Sequence, residues 1–152
     1  MARAGACQNS RVSSHPARAT GRSPAYAGGE RRNEYDVTNT VRVSSVDDVR
    51  LAVEALFATA CPGMSFDLLW MAFHDFRRLF GGQMEGYLGC DTIYHDTQHS
   101  LDVTLAMARL LAGHELGRGP EDRLGERRVV MGMLCALFHD AGYIRKAGER
   151  QR

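Results

Sequence analysis

The sequence predicts an all-α protein, and three observations carry that prediction. Apolar residues after residue 44 recur at helical spacing, caps and glycine stops bracket each such stretch, and no strand pattern of comparable strength appears. At 152 residues the chain has room for one domain with a single core.

Residues 1–36 are read as a disordered tail and 37–152 as the helical domain. The tail is rich in Ala, Arg, Ser, Gly and Pro and lacks apolar periodicity, so burial cannot offset the entropy of ordering it. Its first 29 residues hold four Arg and no acid, as organelle transit peptides do. No amphipathic helix accompanies that composition, which favours a plain extension or a start codon assigned too far upstream.

"VTNTVRV" (37–43) is read as a short extended lead-in. The first helix starts at the N-cap Ser45, with Asp48 three residues on, and stops at Cys-Pro-Gly; Val49, Val53, Leu56 and Phe57 form its apolar face. A second helix starts after Ser65 and stops at Gly81-Gly82, with Phe66, Leu69, Trp70, Phe73, Phe76 and Phe80 in one stripe. A glycine-rich loop over 83–94 follows. The third helix covers 96–113, capped by Asp96 or Thr97 and stopped by Gly113. A surface loop with Pro120 able to open a helix leads to "RRVVMGMLCALFHDAGY", apolar almost all round and ended by Gly142.

Composition excludes several classes. The net charge of +1 gives no basis for nucleic-acid binding, and no apolar run of 18 residues spans a membrane. Cys7, Cys61, Cys90 and Cys135 are scattered without a C-x-x-C pair, which argues against a disulfide or zinc-knuckle framework and for a reducing, cytoplasmic setting. Cys135, inside an apolar run, reads as a small core residue.

The tripeptide Phe-His-Asp occurs twice. In "AFHDFRR", helical geometry sets His74 about 80° and Asp75 about 180° from Phe66, so the carboxylate lies opposite the apolar stripe. Arg77 and Arg78 follow to neutralise it, and this copy is assigned to the surface. In "LFHDAGY", eight of residues 130–138 are apolar, and a carboxylate leaving a buried helix costs several kcal/mol unless paired or metal-bound. "YHDTQHSLDV" adds His95 and His99, four residues apart and hence about 40° around a helix, with Asp102 on or beside the same face. Imidazole and carboxylate donors of this kind suit Zn, Mn, Mg or Fe.

"YHDTQHSLDVTLAMARLL", followed some 40 residues later by "LCALFHDAGY", resembles the HD-domain superfamily of metal-dependent phosphohydrolases. Within it, the Tyr-His-x-x-x-His-x-x-Asp-Val string is similar to the catalytic domain of the 3′,5′-cyclic nucleotide phosphodiesterases. The resemblance implies an HD-like helical bundle that hydrolyses a small phosphoester, such as a nucleotide, by metal-activated water. It implies His99, His139 and Asp140 as metal ligands, His95 as the proton donor to the leaving oxygen, and Asp96 and Asp102 as supports behind the ligands. Asp96 stands where the phosphodiesterases usually carry Asn, and the further Asp that the family draws from a later helix has no counterpart in "IRKAGERQR". The resemblance therefore implies the N-terminal part of such a bundle, truncated at its C-terminus. Two other functions stay open: a di-iron oxygenase of the same superfamily, with His114 or Asp102 as extra ligands, and a catalytically incomplete module that binds a metal or nucleotide. His15, in the tail, reads as a surface residue.

Overall fold

The computed structural model of the chain describes residues 33–148. Four α-helices make up its framework: α1 (Val46–Ala60), α2 (Asp67–Phe80), α3 (Thr97–Gly117) and α4 (Glu126–Phe138). Short 3-10 turns lie at Pro120–Asp122 and Ala141–Tyr143. Among the described residues there is no sheet, only isolated bridges at Tyr35↔Arg42 and Tyr87↔Lys146. The all-α expectation holds. No helix there is long and apolar enough to cross a membrane.

The helix starts follow local chemistry. The Ser45 side chain accepts the Asp48 N–H at 3.2 Å and so caps α1, and the Asp96 carboxylate accepts the His99 N–H at 2.6 Å and caps α3. α3 packs on both α1 and α4, and α2 closes over α4. The core between them is built on Val49, Val53 and Phe57 of α1, Leu69, Phe73 and Phe76 of α2, Leu101 and Leu105 of α3, and Val129, Met133 and Leu137 of α4. Burying each such side chain contributes about 1.5–3 kcal/mol. Phe76 meets Phe138 edge-on at 6.1 Å, which ties α2 to the end of α4.

Several sequence expectations need correction. Residues 33–36 belong to the folded unit: Asp36 is buried, and its carboxylate accepts the N–H groups of Thr40 and Val41 and a 2.6 Å bond from Arg109 of α3. Residues 37–43 therefore form a turn wrapped on a carboxylate, not an extended lead-in. The rest of the predicted tail, with Cys7 and His15, lies outside the described residues. Trp70 is half exposed rather than in the core stripe, with the Arg50 guanidinium 5.2 Å from its ring. α3 passes through Gly113 to Gly117, and α4 stops at Phe138, short of Gly142. One face of α4 is open, with Met131 and Cys135 exposed, so Cys135 is not a core residue.

Candidate metal centre

The two Phe-His-Asp copies part company in space. His74 and Asp75 are exposed on α2; Asp75 lies 4.0 Å from Arg78, while Arg77 reaches 2.6 Å to Asp47 of α1. Asp140 instead is buried at the end of α4, its side chain only 7 % exposed, and three imidazoles converge on its Oδ2. His95 Nδ1 lies 2.8 Å away, His139 Nε2 3.0 Å and His99 Nε2 3.4 Å.

Each of the four is placed differently. His99 sits in the first turn of α3, where Asp96 fixes its backbone N–H. His95 is not on that helix as the spacing predicts; it precedes the cap, and its carbonyl accepts the Cys90 thiol at 3.2 Å. The two rings still meet, with centroids 5.6 Å apart, because the cap turn brings His95 back over the helix start. His139 is the C-cap of α4 and Asp140 follows it into the 3-10 turn.

The His139 ring has a defined tautomer. Its Nδ1 lies 2.8 Å from the Ala136 carbonyl, which can only accept, so Nδ1 carries a proton. In the neutral ring Nε2 is then a lone pair, aimed at a carboxylate lone pair 3.0 Å away. Two such lone pairs repel unless a cation, either a proton or a metal ion, lies with them. A ring N–H bonded to a backbone carbonyl is also the usual way a metal-binding histidine is oriented.

His95, His99 and Asp140 offer donor atoms all within 4.8 Å of one another, a group that can hold a metal ion. Bonds of about 2.0–2.2 Å put neighbouring donors roughly 3–3.5 Å apart. The His99–Asp140 separation of 3.4 Å falls in that range and the His95–Asp140 separation of 2.8 Å just below it. His139 touches the same oxygen but falls outside that tight trio. Asp96 supports His99 through the backbone, whereas Asp102, half buried on α3, is not part of the donor group. His114 is not brought in: fifteen residues separate it from His99 along one helix, about 22 Å.

The surroundings hold two residues that the sequence reading missed. The Tyr143 ring stacks on His95 with centroids 4.4 Å apart and planes 13° from parallel, and Tyr94 approaches His95 and His99 at 5.1 and 5.0 Å. Tyr94 stands directly before His95, inside the quoted string, but nothing in its letter distinguishes a rim residue from a loop residue. No family model matches the chain, and neither does any curated protein or solved structure.

Proposed function

We propose that the chain is a metal-dependent phosphohydrolase of the HD type, acting on a small phosphoester such as a nucleotide. The observation that carries this reading is the convergence of three imidazole nitrogens on one buried carboxylate oxygen. His99, His139 and Asp140 would hold a divalent ion, of which Zn, Mn, Mg and Fe all suit N and O donors. Such an ion supplies acidified water and charge compensation for a phosphoryl group. Asp140 binds His95 Nδ1 and orients the ring, leaving Nε2 as the atom that passes a proton to the leaving oxygen. Asp96 holds the α3 end that presents His99.

A second reading has an observation of its own: the tight donor trio includes His95 rather than His139, which makes His95 a ligand. His95→Asn separates the two. A proton donor's loss spares metal affinity and removes turnover, whereas a ligand's loss lowers affinity at least tenfold.

The function is tested with the full chain, purified metal-free and supplied with Mn²⁺, Zn²⁺ or Fe²⁺. Bis(p-nitrophenyl) phosphate and a panel of cyclic and linear nucleotides are the substrates. Metal-dependent hydrolysis that disappears in Asp140→Asn is expected. Metal binding without turnover on any substrate would instead identify a metal-binding module, and an oxygen-dependent iron spectrum would identify an oxygenase.

A further inference from the structure

We infer that Tyr143 is a positioning residue for His95, holding the imidazole in the plane in which its Nδ1 meets Asp140. The inference rests on the reading above in giving His95 a chemical role, but its geometry stands apart from any bound ion.

Core packing does not explain where the Tyr143 ring lies, because the residue is 54 % exposed. What the ring covers is one face of His95, nearly parallel and at stacking distance. The Asp140 bond fixes one edge of the imidazole but leaves the ring free to turn about that contact. A stacked face removes this freedom, and Tyr94, edge-on to His95, limits the ring from another direction.

The turn that carries Tyr143 is anchored well enough to serve. Its N–H donates to the Asp140 carbonyl at 3.0 Å, so carboxylate and aromatic ring come from one 3-10 turn in a fixed relation. The next residue, Ile144, is buried in the core. Beyond it the chain is tied to the loop that leads into His95. Leu88 N–H donates to the Arg145 carbonyl and Ala147 N–H to the Gly86 carbonyl, both at 2.9 Å, and Arg145 pairs with Asp91. The segment that presents His95 and the segment that holds it are thus fastened to each other a few residues away from the ring.

The test compares wild type, Tyr143→Phe and Tyr143→Leu as full chains, first without metal. The His95 ring protons are followed by NMR, assigned with His95→Asn, and the rate of His95 modification by diethyl pyrocarbonate is read by mass spectrometry. In wild type and Tyr143→Phe the ring protons are expected upfield under the aromatic ring current. In Tyr143→Leu they move downfield and His95 reacts about two- to tenfold faster, the factor that one aromatic pair represents. Unchanged His95 resonances or an unchanged modification rate in Tyr143→Leu overturn the inference, and so does a Phe variant that behaves like Leu. Turnover with Mn²⁺ is then measured: Tyr143→Leu is expected to lower kcat about two- to tenfold, with recovery in Tyr143→Phe. A wild type without turnover refutes the phosphohydrolase reading alone, since the metal-free measurements decide the role of Tyr143 by themselves.

Discussion

Helix α4 begins without a side-chain cap, and Glu115 of α3 instead fixes the two residues that lead into it. The α4 N-cap is Gly125, which has no side chain to receive the exposed N–H groups. Glu115, 2 % exposed, accepts the Leu124 N–H at 2.7 Å through Oε1 and the Gly125 N–H at 3.4 Å through Oε2. A net bond to a buried charge contributes about 1.5–3 kcal/mol, and the longer contact adds only a few tenths. Glu115→Ala should therefore cost about 2–3 kcal/mol, or ~10 °C in melting temperature for a domain of this size. Glu115→Gln keeps an acceptor and should cost about 1 kcal/mol.

The pH dependence supplies a second check on Glu115. Burial alone would raise the Glu115 carboxyl, but the N–H groups of Leu124 and Gly125, helped by His114, outweigh it and hold the group below its ordinary 4.5. The folded state then releases the proton more readily than the unfolded state. Its contribution is complete above about pH 4.5 and is lost as pH falls through the lower folded value. Urea denaturation of wild type and Glu115→Gln at pH 7 and pH 3.5 measures this. The gap between them should shrink at the lower pH; an equal gap at both values, or Glu115→Ala within about 0.5 kcal/mol of wild type at pH 7 (against the ~2–3 kcal/mol expected), would refute the argument.

Three further outcomes are expected. Metal at a hundred times its dissociation constant should stabilise the wild type by about 2.7 kcal/mol in thermal melts, and Asp140→Asn should abolish that increment while leaving the metal-free melting temperature close to wild type. Asp36→Ala should cost on the order of 3 kcal/mol in chemical denaturation, because it leaves Arg109 and the 38–41 turn without their acceptor. Burial alone would raise the Asp36 carboxyl, yet bonds from Thr38, Val41, Arg109 and Thr40 hold it far below the usual range, so its contribution persists until strong acid. Gly82→Ala should destabilise clearly more than Gly86→Ala. Both have positive φ, but only at Gly82 would a Cβ fall 2.9 Å from backbone, at Gly89 N, and melts of the two variants compare strain plus clash with strain alone.

What could be read from the sequence was whatever local chemistry decides. Ser45 with Asp48 and the Cys-Pro-Gly stop fix α1, and the spacing of Leu69, Phe73, Phe76 and Phe80 fixes the buried face of α2. What could not be read depends on partners distant in the chain. Gly113 fails to stop α3 because a glycine inside a helix costs only about 1 kcal/mol, and the tertiary bonds of Glu115 draw the helix onward. Asp36 looked like part of the tail, although Asp-x-Thr is a turn signal that its bonds to Thr38 bear out. Cys135 and Met131 are apolar letters on an open face, and composition does not say which side of α4 is covered. Of the site, His99, His139 and Asp140 were legible as a group, as was His95 beside them. That the tight donor trio takes His95 and leaves His139 at its edge is a matter of side-chain direction, which spacing alone does not carry.

The bond between His95 and Asp140 spans 45 residues. An unfolded chain therefore offers an incoming ion only local pairs, His95 with His99 or His139 with Asp140, and the full set of donors exists only once α3 has docked on α4. Closing that long loop is an entropic cost already met by the core, through buried residues such as Leu105 of α3 and Met133 of α4. An ion would then act as a reporter of tertiary folding. Its affinity should collapse in any core variant that lets α3 and α4 separate, long before either helix melts.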